Sequence, residues 1–184
     1  MNSESTNLIQ DTAESENISS ERDNAGPIRV LLADDHTILR AGLRMMLSVQ
    51  PDIEIVGEAS DGRQAITEAQ RLQPDVILMD ITMPELNGIE ATRQVKKLLP
   101  ETRVLVLTMH ENEEYLFQVL RAGASGYILK EAADTELISA IRSVHAGRFY
   151  LSPPAQAMMV GDYMQRVRAG EERDSYSGLT ERER

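Results

Sequence analysis

The chain has 184 residues, of which 41% are hydrophobic, with no cysteine, no tryptophan and a formal net charge of −11. This length suits one domain with appendages, and the lack of cysteine excludes a disulfide scaffold and thiolate metal sites. The acidic balance disfavours nucleic-acid binding by this chain on its own, because phosphate backbones attract clustered Lys and Arg.

The first 26 residues differ in composition from the rest. They hold six acids against one arginine, a charge of −5, with few apolar residues and many Ser, Asn and Glu. This composition predicts a disordered acidic tail over residues 1–26. The segment lacks the basic and apolar regions of a signal peptide, and no apolar run of the chain approaches the roughly 20 residues that span a bilayer. We therefore expect a cytoplasmic protein with no membrane partner.

From Pro27 onward, short apolar runs recur along the chain. Four of them are rich in Val, Ile and Leu and do not alternate with polar residues: "IRVLLADD" (28–35), "DVILMD" (75–80), "TRVLVLTM" (102–109) and "GYILK" (126–130). Continuous runs of this kind are typical of strands buried on both faces of a parallel sheet. The more mixed stretch "DIEIVGEA" (52–59) predicts an edge strand.

Helical patterns lie between these runs. In the first, Leu39, Leu43, Met46 and Leu47 share one stripe, and four more amphipathic segments follow. Gly123 and Gly147 stand where two of the helices should end. Five strands alternating with five helices predict an open, doubly wound α/β domain with a five-stranded parallel sheet over residues 27–147.

The strand pattern ends after "GRFYLSPP". Pro153 and Pro154 predict the start of a further helix, in which Met158, Met159, Tyr163 and Met164 are available for burial. The polar stretch "EERDSYSG" predicts a linker, so residues 148–178 are interpreted as a linker with a linker helix. The last six residues, "LTERER" (179–184), contain a capping box that begins a helix, and we expect them to be the truncated start of another domain.

Polar residues stand at the ends of the predicted strands. Asp34 and Asp35 end the first, Asp80 the third, Thr108 the fourth and Lys130 the fifth. Strand ends of a parallel sheet meet at one edge, where α/β proteins bind ligands. Clustered carboxylates require a cation, and oxygen ligands suit Mg²⁺. A carboxylate beside Mg²⁺ can attack a phosphoryl group, which makes Asp80 the candidate nucleophile.

Each of these residues also has a structural interpretation. Asp34 or Asp35 alone can cap a helix, Asp80 alone can be a turn residue, and Thr108 and Lys130 can simply end strands. The structural interpretations do not account for their joint occurrence. His36 and His110 are expected to modulate the site or face solvent rather than bind metal.

The motifs "LLADDH", "VILMDITMPELNGIEA", "VLVLTMHENEE" and "RAGASGYILKEA" closely resemble the receiver domain of two-component response regulators over about residues 28–147. The spellings "DDH", "AGASGYILK", "GRFYLSP" and "LTERER" resemble the NarL/FixJ type, in which a LuxR-type helix-turn-helix domain begins at residues like 179–184. The resemblance implies a flavodoxin-like receiver fold with strand order 2-1-3-4-5. The acidic tail departs from the usual family pattern.

The resemblance also implies a role for each acid. Asp80 would take a phosphoryl group from a sensor histidine kinase. Mg²⁺ would be held by Asp35, Asp80 and the backbone carbonyl of Thr82, with Asp34 acting through water. The chain would then have Mg²⁺-dependent self-phosphorylation and dephosphorylation and no other turnover.

The remaining implied roles concern the switch and its output. Lys130 would pair with the phosphoryl group and Thr108 would hydrogen-bond it, while Tyr127 would move into the space that Thr108 vacates. Phosphorylation would favour a homodimer and control promoter DNA binding through the missing C-terminal domain. Tyr127 can also be an edge-strand aromatic without a switching role.

Three alternatives fit less well. A haloacid-dehalogenase-like phosphatase resembles "DxD" at its nucleophile, but Thr82, not an acid, stands two residues after Asp80. A dinucleotide-binding oxidoreductase requires G-x-G-x-x-G after the first strand, which is absent. A stand-alone phosphocarrier would lack the predicted linker helix and the "LTERER" motif.

Overall fold

The computed structural model describes residues 26–109 and 112–180, and from residue 169 onward it describes the backbone only. Within these residues, six strands form one sheet in which every neighbouring pair is parallel, in the order β2-β1-β3-β4-β5-β6. The strands are β1 (Ile28–Ala33), β2 (Ile53–Ala59), β3 (Val76–Asp80), β4 (Arg103–Thr108), β5 (Gly126–Leu129) and β6 (Tyr150–Leu151). The helices are α1 (Thr37–Ser48), α2 (Gly62–Leu72), α3 (Gly88–Leu98), α4 (Glu113–Arg121), α5 (Ala133–His145) and α6 (Pro153–Thr180), with a 3-10 turn at Lys130–Ala132.

The doubly wound α/β fold is confirmed, including the order of the five predicted strands and the edge position of β2. The sheet differs from the prediction by one strand, because β6 pairs with β5. The backbone N–H of Tyr150 donates to the carbonyl of Ser125 at 3.1 Å, and that of Ser152 to the carbonyl of Tyr127 at 3.0 Å. β5 is therefore an inner strand.

Alternate residues of each central strand enter two separate cores. In β1, Val30 and Leu32 pack towards α1 and α5, whereas Leu31 and Ala33 pack towards α2 and α3 on the opposite face. Because both faces of the sheet are covered by helices, the central strands have no polar face. This explains why their sequences are continuous apolar runs.

Two predicted helix ends are confirmed by backbone conformation. Gly123 follows α4 with φ of 94°, and Gly147 follows α5 with φ of 79°. Both values lie in the left-handed region that favours glycine, so a residue with a side chain would be strained at either position.

The last helix, α6, lies beside α4 and β5. Ala155 is fully buried, and Met158 and Met159 pack against the core as predicted. Tyr163 and Met164, which the sequence also made available for burial, are instead 66% and 45% exposed. Tyr163 borders an open groove that is also lined by Phe117 and Arg121 beside α4.

The α6 helix is also longer than the sequence predicts. It continues through residues 171–178, where we expected a polar linker. The run "EER" at 171–173 consists of good helix formers, so the helix has no break there. Residues 181–184, which complete the predicted capping box, and residues 1–25 lie outside the described part. Within the described part, no helix is both long and apolar enough to cross a membrane.

Candidate functional site

The predicted site residues gather at the carboxyl edge of the sheet. Asp34 and Asp35 directly follow β1, and Asp80 is the last residue of β3. Thr108 is the last residue of β4, and the residue before it, Leu107, pairs with Asp80 of β3. Lys130 begins the 3-10 turn that follows β5. Adjacent parallel strands thus bring these side chains to one edge.

Three of these groups form a buried charged cluster. The Lys130 ammonium Nζ lies 2.7 Å from Oδ2 of Asp34 and 2.9 Å from Oδ2 of Asp80. The side chains of all three are only 4–5% exposed. Lys130 therefore bridges two carboxylates that would otherwise repel each other in a poorly solvated place.

Burial shapes the acidity of this cluster. Removal from water raises the pKa of Asp80 above its ordinary value, and the charge of Asp34 adds to this effect. Lys130 and a backbone hydrogen bond from Thr82 oppose the rise without cancelling it. Burial alone would lower the pKa of Lys130, but its bonds to the two carboxylates raise it, so the lysine stays charged.

Asp35 and His36 complete the acidic cluster at its solvent side. Nδ1 of His36 lies 2.9 Å from Oδ1 of Asp35, 3.1 Å from Oδ1 of Asp34 and 4.0 Å from Oδ2 of Asp80. The His36 backbone N–H also donates to Asp34 at 2.7 Å. The sequence placed His36 near this edge but did not identify it as a potential ligand. Its position directly after the acidic pair was the available signal.

These four residues can hold a divalent cation. Asp34, Asp35, His36 and Asp80 each offer a ligand atom, and those atoms all lie within 4.8 Å of one another. Three carboxylates and one ammonium leave a formal charge of −2 at the site, which a divalent ion would neutralise. Carboxylate oxygens that are partly open to water are the ligands that Mg²⁺ prefers.

The loop after Asp80 returns the chain close to the site. The Gly88 backbone N–H donates to the Ile81 carbonyl at 2.9 Å, and Glu85 has a left-handed φ of 62°. A Cβ atom at position 88 would lie 1.8 Å from the carbonyl oxygen of Asp80. Only glycine permits this approach, so Gly88 fixes the path of the chain beside the acidic cluster.

Arg40 supports the site and was missed in the sequence. Its Nη1 donates to the Asp34 carbonyl oxygen at 2.6 Å, and its Nε donates to Oε2 of Glu58 at 3.0 Å. The side chain thus ties the residue after β1 to the end of β2. No local pattern reveals this contact, because Glu58 lies 18 residues away along the chain.

Thr108 and Tyr127 are both fully buried. The register pairs Thr108 with Leu129 and Val106 with Tyr127, so Tyr127 lies two residues before the end of β5. On its other side Tyr127 pairs with Leu151 of β6. The interpretation of Tyr127 as an edge-strand aromatic is therefore wrong, since both neighbouring positions in the sheet are occupied.

Comparisons with known proteins agree with this geometry. The response regulator receiver domain family matches residues 30–142. The oxygen regulatory protein NreC of Staphylococcus carnosus (strain TM300) is 41% identical over 159 residues, which cover 85% of this chain and 73% of that protein. The transcriptional regulatory protein DegU of Brevibacillus brevis is 38% identical over 162 residues, covering 88% and 69% respectively.

A solved structure gives the same result. The crystal structure of a LuxR-family two-component response regulator from Aurantimonas sp. SI85-9A1 aligns with a TM-score of 0.73 at 34% identity, covering 76% of this chain and 99% of that one. The family match extends over more than half of the chain and contains every residue of the acidic cluster. This chain therefore belongs to the response regulator receiver domain family of two-component systems.

Proposed function

We propose that Asp80 is the phosphoacceptor and that it receives its phosphoryl group from a phosphohistidine of a sensor histidine kinase. The observation that carries the proposal is the buried Asp80 carboxylate, held 2.9 Å from Lys130 beside two further acids. Asp35 is more exposed than Asp80, and Oδ1 of Asp34 already accepts a hydrogen bond from the His36 backbone N–H, which leaves Asp80 as the candidate nucleophile.

The donor set fits Mg²⁺. Asp35 and Asp80 would bind the ion through carboxylate oxygens, the Thr82 backbone carbonyl would add a third protein ligand, and Asp34 would act through water. When bound, the ion supplies positive charge that offsets the charge of the incoming phosphoryl group. His36 is close enough to the same oxygens to influence how tightly a cation is held.

In the transfer step, a carboxylate oxygen of Asp80 attacks the phosphorus, and the bond from phosphorus to the kinase histidine nitrogen breaks. The electron pair of that bond stays on the imidazole nitrogen. Lys130 neutralises charge on the phosphoryl oxygens. Water attacking the same phosphorus later regenerates the carboxylate, so self-dephosphorylation is the other half of the cycle.

Phosphorylation changes the charge at the carboxyl edge, which shifts an element with two arrangements. The phosphoryl group attracts Lys130 and the hydroxyl of Thr108. Displacement of Thr108 alters the space around Tyr127, and the adjoining surface of α4, β5 and α5 is remodelled. The full burial of both side chains supports this coupling, because neither can move without its neighbours.

The output is transcription. Residues 27–147 act as the receiver, residues 148–178 as linker and linker helix, and residues 179–184 as the start of a LuxR-type helix-turn-helix domain that binds promoter DNA in the full-length protein. The names of DegU, a transcriptional regulatory protein, and of the LuxR-family regulator support this division. Phosphorylation would favour a homodimer, and the protein would act in the cytoplasm.

The test is phosphorylation by a small phosphodonor in Mg²⁺, followed by intact-protein mass spectrometry. The wild type should gain the mass of one phosphoryl group, and Asp80→Asn should gain none. Asp61→Asn is the matched control, because Asn also caps the α2 helix that Asp61 caps through the Gln64 N–H. Continued labelling of Asp80→Asn would reject the assignment, as would loss of labelling in the control.

The role of Lys130 is tested separately. Lys130→Ala should still bind Mg²⁺ but lose most of the conformational change that phosphorylation causes. Amide exchange before and after treatment with a beryllofluoride phosphoryl mimic measures that change. A wild-type response in the variant would show that Lys130 does not carry the signal.

A further inference from the structure

A polar cavity lies at the opposite edge of the sheet from the acidic cluster. It has a volume of about 250 Å³, and its lining includes Lys96, Arg103 and Arg148. Two glycines leave room in its wall: a Cβ atom at Gly123 would lie 3.3 Å from the Lys96 side chain, and one at Gly147 would lie 3.8 Å from Nη2 of Arg103. We call this feature the cationic pocket.

The charge of the cationic pocket is not neutralised within the described residues. The guanidinium groups of Arg103 and Arg148 have no hydrogen bond or ion pair there, and the Lys96 ammonium donates to the backbone carbonyls of Pro100 and Thr102. Burial and then the charge of Arg103 lower the pKa of Lys96, with Glu101 opposing. The lysine and Arg103 thus repel each other across the pocket.

Six other arginines of the described part are paired with acids, whereas Arg29, Arg63, Arg121 and Arg168 have no ion pair there. The pairs are Arg40 and Arg44 with Glu58, Arg71 with Glu68, Arg93 with Glu90, Arg142 with Asp52, and Arg166 with Asp162. In a chain with a net charge of −11, three converging cations without an ion-paired acid indicate a site for a carboxylate-rich or other anionic group.

The chain itself supplies such a group. Residues 1–25 hold six acids and one arginine. They enter the fold at β1, whose residue Val30 pairs with Val76 of β3, which in turn pairs with Arg103. The segment therefore begins at the same edge as the cationic pocket, only two strand spacings from Arg103, or roughly 10 Å.

The length of chain between each acid and Pro27 decides which carboxylates can contact the cationic pocket. Asp23 stands four residues before Pro27 and Glu21 six, so extended chain carries their carboxylates up to roughly 13 Å and 20 Å. Both distances span the two strand spacings. Glu4 and Asp11, in contrast, are separated from Pro27 by many more residues, which lowers their local concentration at the pocket.

We propose that the cationic pocket binds the acidic N-terminal segment of the same chain, with Glu21 and Asp23 as the ligands of Lys96, Arg103 and Arg148. Bound there, the segment rests against residues 147–149, which lead directly into β6 and α6. The acidic segment thus restrains the connection between the receiver and its last helix. This inference does not depend on the phosphoacceptor role of Asp80.

The test uses the full chain labelled with ¹⁵N at low ionic strength, with the backbone amides of Gly123, Ser125 and Gly147 as probes. In the double variant Glu21→Gln, Asp23→Asn, the NMR chemical shifts of these amides should change in the same direction as they do when salt is added to the wild type, because salt screens the same interaction. Glu4→Gln with Asp11→Asn removes the same charge and should change them far less. Unchanged probes in the first variant, or equal changes in both, would overturn the proposal.

Two measurements identify the ligand and its source. Inorganic phosphate, titrated against the same amides, should bind the Glu21→Gln, Asp23→Asn variant more tightly than the wild type, because the segment no longer competes; equal affinities would overturn the proposal. Zero-length carbodiimide coupling in a mixture of ¹⁵N-labelled and unlabelled chains should link Lys96 to Asp23 or Glu21. Both peptides of each linked pair should then carry the same isotope, because they come from the same chain. Mixed-isotope products would assign the pocket to a second copy instead and overturn the own-chain assignment.

Discussion

Lys130→Met tests whether the buried cluster is held together by charge. The lysine ammonium is 2.7 Å from Asp34 and 2.9 Å from Asp80, and all three side chains are nearly buried. Methionine keeps most of the apolar stem and removes only the cation. The two carboxylates are then left facing each other with no positive group between them.

The expected magnitude follows from these distances. With an effective dielectric constant of about 20, opposite unit charges 2.8 Å apart attract by roughly 6 kcal/mol, and much of this offsets the loss of hydration. Removing one partner of a buried ion pair leaves the desolvation penalty unopposed and destabilises by about 3–5 kcal/mol. We expect the free energy of unfolding of Lys130→Met to fall by that amount.

The assay is urea unfolding at neutral pH, followed by circular dichroism, first with a chelator and then with increasing Mg²⁺. Lys97→Met is the matched control, because Lys97 is exposed on α3 and should change stability by no more than about 0.5 kcal/mol. Mg²⁺ should stabilise Lys130→Met more than the wild type, since the ion replaces the missing positive charge. A loss below about 1 kcal/mol, together with an unchanged Mg²⁺ response, would refute the reasoning.

Further predictions concern residues around the same cluster. Burial holds the pKa of Asp80 above its ordinary value, so the ionised form of Asp80 destabilises the fold at neutral pH. This destabilisation disappears as the pH falls through the folded-state pKa, because the carboxylate becomes protonated. Without metal, Asp80→Asn should therefore melt above the wild type at neutral pH, and the difference should shrink towards about pH 4; a constant difference would contradict this. Gly88→Ala should lower the free energy of unfolding by about 1–3 kcal/mol and slow phosphorylation of Asp80, because the new Cβ atom would clash with the Asp80 carbonyl. Gly161→Ala, whose Cβ atom would have no neighbour within 4 Å, should raise the free energy of unfolding by about 0.5–1 kcal/mol. Similar results for both variants would contradict the steric argument. Tyr127→Met should fold but lose the change in amide exchange of residues 155–168 that a beryllofluoride mimic causes in the wild type; a retained change would remove Tyr127 from the switch.

Most of the fold could be predicted because its signals are local. Each central strand is a continuous apolar run, and each helix has an apolar stripe ended by glycine or by a polar loop. The five predicted strands differ from the observed ones by one or two residues at their ends, which is where hydrogen bonding frays, whereas the α6 helix continues well past its predicted end. The convergence of Asp34, Asp80 and Lys130 then follows from strand direction alone.

The features that the sequence did not predict depend on contacts between distant residues. β6 has two residues, too few for any periodicity, and exists because Tyr150 and Ser152 bond to the backbone of β5. The hydrogen bond between Arg40 and Glu58, and the position of Arg103 and Arg148 in the wall of one cavity, also join residues that are distant along the chain. Such pairings become visible only when the sheet places their strands and loops side by side.

The sixth strand determines which part of the fold the proposed rearrangement around Thr108 and Tyr127 would reach. In a five-stranded sheet, Tyr127 would border solvent, and its displacement would change an exposed surface. Here Ser152, two residues after Tyr150, donates to the Tyr127 carbonyl, and α6 begins at the next residue. Ala155, Met158 and Met159 pack in the same core as Tyr127. The proposed rearrangement around Thr108 and Tyr127 would therefore act first on the docking of α6, the helix that leads towards the C-terminal part of the chain.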